Sequence, residues 1–269
     1  MKDWRKYNSA IIPNIPPHLP INNTEEEIKL FIKQSKVFFA RWESDFDCSK
    51  STDFWFLIND IPMELEDYDS KTRGLIRKGL RECIVDRITI DQLINEGYEL
   101  YLLAFKKYKT YLQAKTQQEF VDEIMATPNN WEYWGVFYNK KMIGYSKVMV
   151  IDNYAEYRSI KLHPRFLRHL PAESLIYTMN SNYLNKRKFK YVNNGARSIA
   201  HQTNFPLFLI RKFKFRKAYC RLNIVYNGKI NLLVKCLYPF RGLLRLIRFG
   251  PFRQSNILLK QESIRRSFE

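Results

Sequence analysis

The stretch that decides the fold runs from Trp131 to Leu162 and has the sequence WEYWGVFYNKKMIGYSKVMVIDNYAEYRSIKL. Two apolar runs, Trp131–Tyr138 and Lys141–Ile151, are separated only by Asn139-Lys140. Asn tolerates the positive φ that a two-residue hairpin turn requires. A third run, Tyr154–Leu162, is rich in residues that suit a pleated surface. The sequence therefore predicts three consecutive strands, of which the first two form a hairpin.

Two prolines mark the passage from strand to helix. Pro164 ends the third run because it cannot donate to a ladder, and Pro171 suits the first residue of a helix. The following segment, about 172–185, places apolar residues at helical spacing, namely Leu175, Ile176, Met179, Tyr183 and Leu184. A strand over Lys190–Asn194, a helix over Phe205–Phe213 and a strand over Ala218–Tyr226 come next. The alternation predicts an α/β fold.

This order of elements resembles the GNAT acyltransferase fold. The resemblance rests on the proline after the third strand, on YVNNG at Tyr191–Gly195 and on RKFKF at Arg211–Phe215. Within GNAT proteins the chain is similar to the branch that includes the Fem-type peptidoglycan aminoacyltransferases and the GNAT-like proteins of bacterial polysaccharide loci. SKTRGLIRKGL at Ser70–Leu80 is similar to a basic helix of their preceding lobe. The resemblance implies a mixed α+β sheet in a GNAT-like lobe, a smaller N-terminal lobe and a basic C-terminal tail.

The organisation predicted from the sequence has four parts. Residues 1–23 hold four prolines and suggest an extended arm, while Thr24 and Glu27 form a capping box that starts a helix. A mixed lobe that is a candidate degenerate GNAT half covers 24–128, a GNAT-like lobe covers 129–230, and the basic tail covers 231–269.

Composition excludes several classes of protein. The 269 residues carry a net charge of +18, which favours a polyanionic partner: nucleic acid such as tRNA, an anionic membrane surface or another phosphate-bearing ligand. Dinucleotide and P-loop glycine signatures are missing, and four scattered histidines give no metal motif. The four cysteines lack a C-x-x-C pair and are expected to be buried free thiols. Without a signal peptide or a spanning apolar run, we expect a cytoplasmic protein, free or peripheral at the inner face of the membrane.

The resemblance implies acyl-coenzyme A as cosubstrate, but the phosphate-binding segment departs from the family pattern. After the proline, GNAT enzymes place a Gln or Arg and two small residues, which let backbone N–H groups surround a pyrophosphate. Here Leu167 and Leu170 occupy the first two of these positions, and only Ala172 keeps the pattern. The usual tyrosine acid is also missing from the helix Phe205–Phe213.

Candidate catalytic residues cluster around the third strand. Glu156 lies where GNAT enzymes often carry a carboxylate and is a candidate general base, and alternation places Tyr154 on its face and Tyr157 on the other. The competing interpretation is an exposed strand glutamate. His163 and His201 flank the region, although an isolated histidine is more often structural.

Candidate binding residues follow from the resemblance and from charge. The residues proposed for the cosubstrate are Leu162, Arg168, Ala172, Asn194 and Arg197. Those proposed for the second substrate are Arg73, Arg77, Asn193 and Ser198. Arg73 and Arg77 share a helix face and could clamp a phosphate or carboxylate, or could simply be solvated. Asn193-Asn194-Gly195 ends the strand at which a GNAT sheet splays, or is a plain turn.

The segment 232–253 differs from the rest of the chain. Arg241, Arg245 and Arg248 fall on one face of a predicted helix between Pro239 and Pro251, with Leu243, Leu244, Leu246 and Ile247 on the others. This pattern is typical of helices that lie in a membrane interface, or of a terminal helix packed on the core.

The sequence supports two hypotheses of function. In the first, the chain is an N- or O-acyltransferase that takes an acyl-coenzyme A or aminoacyl donor and modifies a sugar or cell-envelope precursor. In the second, it is a catalytically silent GNAT-like protein that binds nucleic acid or protein partners. The first rests on fold analogy and positive charge.

Overall fold

The computed structural model describes residues 3–7, 9–107, 113–199, 204–244 and 252–268, except for the side chains of 252–254. The chain divides into two compact units. The first unit comprises Met1–Leu57, Ala196–Asn204 and Lys217–Glu269, and the second comprises Ile58–Gly195 and Phe205–Arg216. The four-part division expected from the sequence stays a prediction.

The described strands are β1 (Trp4–Tyr7), β2 (Ala10–Pro13), β3 (Phe39–Ser44), β4 (Trp55–Asn59), β5 (Ile84–Ile88), β6 (Trp131–Tyr138), β7 (Lys141–Ile151), β8 (Tyr154–Leu162), β9 (Tyr191–Ala196), β10 (Arg216–Tyr219) and β11 (Arg221–Tyr226).

The described α-helices are α1 (Glu25–Ser35), α2 (Ser70–Glu82), α3 (Ile90–Phe105), α4 (Gln117–Met125), α5 (Pro171–Asn180), α6 (Phe205–Phe213), α7 (Gly228–Leu237), α8 (Arg241–Leu244) and α9 (Phe252–Arg266). Short 3-10 turns cover Leu65–Asp67, Pro164–His169 and Tyr238–Phe240, and a π-helical turn covers Ser181–Lys186.

The first unit is built on a four-stranded sheet of order β1-β2-β3-β11. The segment predicted as an extended arm forms the hairpin of β1 and β2, which buries Trp4 and Ile11. The predicted capping box of Thr24 and Glu27 is confirmed at the start of α1. Because α1 is amphipathic, it packs Ile28 and Ile32 into the same core.

The second unit contains β5 to β8, and β9 as far as Gly195, which are neighbours in the order β9-β8-β7-β6-β5. The predicted hairpin of β6 and β7 is confirmed, and Asn139 and Lys140 in its turn have φ of 48° and 64°. The strands β5 to β8 pair antiparallel, whereas β8 and β9 pair parallel. The α/β class and the mixed sheet expected from the sequence are therefore observed.

Helices cover both faces of the sheet in the second unit. Tyr133 of β6 belongs to a buried cluster with α3 and α4, while its neighbour Trp134 donates an indole hydrogen bond to Tyr183 Oη at 2.9 Å on the other face. Adjacent strand residues point to opposite faces, so α5 and the turn after it lie opposite α3 and α4. Leu175 and Ile176 of α5 are fully buried, which confirms the predicted apolar stripe.

Two expectations from the sequence are corrected by the structure. The run Ala218–Tyr226 is not one strand, because it is divided at buried Cys220 into β10 and β11, which belong to different sheets. Cys83 and Cys220 are buried free thiols as expected, but Cys48 is only partly buried and Cys236 is exposed. Part of the predicted interfacial helix, including Arg245, Ile247 and Arg248, lies outside the described residues.

The packing of α2 on α5 gives a stability test with an internal control. A Cβ on Gly79 would lie 2.8 Å from Leu170 O and 3.3 Å from Ser174 N, so Gly79→Ala forces backbone atoms apart, whereas Gly74 in the same helix has open space around it. We expect Gly79→Ala to lower the free energy of unfolding by about 1–3 kcal/mol. Gly74→Ala should raise it by about 0.5–1 kcal/mol, since alanine is the better helix former. Urea denaturation measures both, and equal effects would contradict this packing.

Candidate functional site at the end of the β8–β9 pairing

The candidate site lies where β8 and β9 stop pairing. Their parallel ladder joins Tyr154 to Tyr191, Ala155 to Val192 and Glu156 to Asn193. Strand β8 then continues to Leu162 along β7, while β9 continues only to Ala196. This is the position at which the sequence predicted a splay, and backbone groups of Asn194 and Gly195 come directly after the last pair.

A chain of hydrogen bonds holds the end of the ladder. Gly195 N donates to Asn193 Oδ1 at 2.7 Å, and Asn193 Nδ2 donates to Tyr154 Oη at 2.9 Å. The Tyr154 hydroxyl in turn donates to Glu156 Oε2 at 2.9 Å. Asn193 and Tyr154 are fully buried, so these bonds satisfy polar groups that water cannot reach. Tyr154 and Glu156, which strand alternation places on one face, are thus joined to Asn193 in one network.

Arg158 completes the network and was not singled out by the sequence. Its Nη2 lies 3.1 Å from Glu156 Oε2, and both side chains are less than 15% exposed. A β-bulge places it there, because Lys147 pairs with Ser159 and Val148 with Tyr157, which leaves Arg158 as the extra residue. The spacing Glu156-x-Arg158 was the available signal, since residues two apart share a strand face.

The charges around Glu156 define what the carboxylate can do. The bond from Tyr154 and the ion pair with Arg158 both fall on Oε2 of Glu156. Burial, then the charge of Glu156, raises the pKa of Tyr154 well above its usual range, so the phenol stays a donor. A carboxylate anchored through one oxygen can use the other to take a proton from an attacking amine or hydroxyl.

A second set of charges lies on the same face of the sheet. Lys147 is buried beside Met149, which pairs with Glu156, and the Lys147 ammonium contacts Glu123 of α4. Burial, and then the neighbouring Lys161, lower the pKa of Lys147 to about 8, although the Glu123 carboxylate acts in the opposite direction. Lys115 also contacts Glu123. Both lysines therefore converge on Glu123, and neither was predicted from the sequence.

His163 has a structural partner. Its Nδ1 accepts a hydrogen bond from Arg165 N at 3.2 Å and so caps the turn Pro164–His169. Burial, and then Lys141, lower the pKa of His163, which keeps the ring neutral and able to accept. The bond accounts for a histidine at this position, and an acid–base role stays a prediction. His201 lies outside the described residues.

The remaining predicted residues are placed in separate surroundings. Arg73 donates to Glu66 O at 3.1 Å, and Arg77 lies 3.5 Å from Glu66 Oε1. Both arginines of the predicted clamp therefore already bond to the turn Leu65–Asp67. Arg197 and Ser198 belong to the first unit, where Arg197 donates to Asp53 Oδ1 at 2.9 Å. Leu162 ends β8 opposite Gly144, and Arg168 Nε donates to His169 Nε2 at 3.2 Å.

The start of α5, where Ala172 lies, does not fit the pyrophosphate of coenzyme A. Its first residue is Pro171, which has no N–H to offer. Buried Glu173 pairs with Lys212 Nζ at 2.7 Å in the first turn, so this turn already holds an anion of its own chain. Helix α2 also covers this end, with Gly79 against Leu170 O and Ser174 N. Within the described residues no cluster of metal-ligating side chains occurs either.

Comparison with solved structures identifies the fold. The chain resembles FemX over 86% of its own length and 85% of FemX, with a TM-score of 0.57 and 11% identity. It resembles the C-terminal domain of a putative lysylphosphatidylglycerol synthetase from Agrobacterium fabrum over 87% of its length and 82% of that chain, with a TM-score of 0.54 and 10% identity. The chain therefore has a GNAT-like fold of the Fem type, as the sequence resemblance implied.

A more distant likeness covers only part of the chain. The PaiA N-acetyltransferase of Thermoplasma acidophilum in complex with coenzyme A matches 40% of this chain and 74% of its own, with a TM-score of 0.33 and 14% identity. No protein-family profile and no curated protein sequence matches this chain. None of the described helices is long and apolar enough to cross a membrane.

The capping role of His163 predicts a pH dependence of stability. Its folded pKa lies below the unfolded value of about 6.5, so as the pH falls past 6.5 the unfolded chain binds the proton first and stability is lost. Lys141 and Arg165 act in the same direction as burial, and Glu99 opposes them. His163→Asn keeps an acceptor and does not titrate. Urea denaturation at pH 7.5 and 5 should show a smaller loss for the variant, and equal losses would contradict the assignment.

Proposed function

We propose that this protein is an acyltransferase that moves an aminoacyl group from an RNA carrier to an amine or hydroxyl of a sugar or cell-envelope precursor. The observation that carries the proposal is the Glu156 carboxylate, anchored by Tyr154 and Arg158 where β8 and β9 stop pairing. Glu156 takes the proton of the acceptor as its nitrogen or oxygen bonds to the acyl carbon. The ester bond to the carrier breaks, and the leaving oxygen receives a proton in return.

Two observations favour an aminoacyl donor over acyl-coenzyme A. The start of α5 combines Pro171, the Glu173 carboxylate and the close approach of Gly79, which together disfavour a pyrophosphate. The positive charge is also concentrated: residues 174–261 contain 18 Lys and Arg and no Asp or Glu, whereas the other 181 residues contain 27 of each sign. A long acid-free segment suits the phosphate backbone of an RNA.

The two similar structures support the same class of chemistry. One of them is named as a putative lysylphosphatidylglycerol synthetase and the other as FemX. The first name refers to the joining of an amino acid to a membrane lipid, which fits an aminoacyl group and a cell-envelope acceptor. For this chain, the aminoacyl donor and the cell-envelope acceptor are inferred by analogy of fold.

A thermal-shift series separates the possible donors. Aminoacylated total tRNA should raise the unfolding temperature in a concentration-dependent way, and acetyl-coenzyme A should not. Stabilisation by acetyl-coenzyme A alone would reverse the choice of donor. Stabilisation by tRNA without any transfer by the wild type would instead identify a catalytically silent RNA-binding protein.

Substitution of the carboxylate tests the catalytic role. With aminoacyl-tRNA bearing a radiolabelled amino acid and an envelope extract as acceptor, we expect Glu156→Gln to slow transfer at least about 100-fold, since a positioned base contributes that much or more. Its stabilisation by tRNA should match the wild type. Glu96→Gln, on the exposed side of α3, is the matched control and should transfer normally. Full activity of Glu156→Gln would refute the assignment.

A further inference from the structure

The outer face of α7 and α8 in the first unit is apolar. Val234 is the buried residue of α7, and Leu232 is turned to the opposite side because each residue advances the helix by about 100°. Leu232 is 65% exposed, and Leu243 of α8 is 67% exposed. Other large exposed side chains of this surface are Leu233 and Phe240. Four such side chains within twelve residues are more than the scattered apolar exposure of an ordinary soluble surface.

A pocket of about 670 Å³ adjoins the first turn of α7. Its rim carries three exposed lysines at a spacing that places them on one helix face. Lys29 and Lys33 belong to α1, and Lys36 follows the end of that helix. Lys29 pairs with Glu25 at 2.7 Å. Asn227, Gly228 and Asn231 form the α7 side, and Ile32, Val37, Phe38 and Tyr226 supply apolar walls. The pocket is therefore cationic at its rim and apolar inside.

The exposed face of α7 and α8 and the pocket both combine cations with apolar side chains. The segment from Asn227 to Gln261 contains no acidic residue, and Lys229, Lys235 and Arg241 interleave the exposed apolar side chains. Phe38 at the pocket is itself 51% exposed. Apolar side chains beside cations are what a helix lying in an anionic membrane interface presents.

We propose that this surface of the first unit docks on an anionic phospholipid bilayer. Leu232, Leu243 and their exposed neighbours enter the boundary between headgroups and acyl chains, and the lysine-rimmed pocket receives a lipid phosphate. This surface includes the described part of the segment 232–253, for which the sequence predicted an interfacial helix, and adds the end of α1. Attachment is reversible, because the apolar area is small and the charges are screened by salt.

An RNA partner explains this surface less well. Single-stranded nucleic acid is held by cations together with aromatic rings on which bases stack, and duplex RNA by cations alone. Phe38 and Phe240 could stack on bases, but Leu232, Leu233 and Leu243 offer no ring and gain free energy only in the acyl region of a bilayer. The acid-free segment as a whole still allows RNA to bind elsewhere on the chain, so the proposal is independent of the transfer reaction.

Vesicle co-sedimentation of the full chain tests the proposal. The probes are vesicles of phosphatidylcholine alone and of phosphatidylcholine with phosphatidylglycerol, at low and high salt. We expect binding to the acidic vesicles that weakens with salt. Leu232→Gln/Leu243→Gln and Lys33→Gln/Lys36→Gln should each weaken it by about tenfold or more, given the contributions of buried apolar groups and of basic residues near an acidic surface.

Matched variants control for general changes in polarity and charge. Ile84→Gln/Met125→Gln replaces two apolar residues of the second unit that are 72% and 64% exposed, and Lys186→Gln/Lys190→Gln removes two exposed charges there. Both should bind as the wild type does, and circular dichroism checks that every variant is folded. If Lys33→Gln/Lys36→Gln and Lys186→Gln/Lys190→Gln weaken vesicle binding equally and Leu232→Gln/Leu243→Gln does not weaken it, the attraction is non-specific. That result would overturn the proposal. Wild-type binding that is absent, or equal on neutral vesicles, would also overturn it.

Discussion

The parallel pairing of β8 with β9 ends at Glu156 and Asn193, and the candidate site depends on that ending. Beyond it, the edge of β9 that faced β8 no longer takes part in that ladder, and the Gly195 N–H bonds to a side chain instead. The separation is stabilised by side chains, since Asn193 bridges Gly195 N and the Tyr154 hydroxyl. The same bonds orient Glu156, so the opening in the sheet and the position of the proposed base have one structural cause.

The start of α5 is filled by contacts within the chain. In this chain the approach of α2 is allowed by Gly79, and the space that a pyrophosphate would need is taken by helix packing and by the Glu173–Lys212 pair. Burial of Glu173 is tolerated because Lys212 neutralises it. The acyl transfer proposed at β8 does not require that helix terminus.

Local signals predicted most of the fold. The hairpin β6–β7 follows from two apolar runs around Asn139-Lys140, and the start of α1 follows from a capping box. The grouping of Tyr154 with Glu156 follows from strand alternation.

Features that depend on distant partners could not be predicted in the same way. The bulge at Arg158 is set by the pairing with β7, and Cys220 divides a run whose halves pair with different sheets. The lysine-rimmed pocket joins α1 to α7, which are almost 200 residues apart.

The most direct test of the central claim is a crystal structure with a non-hydrolysable aminoacyl-adenosine analogue. The account predicts the aminoacyl carbonyl beside Asn194 and Gly195, with the acceptor side facing Glu156. An analogue bound away from the end of the β8–β9 pairing would contradict it.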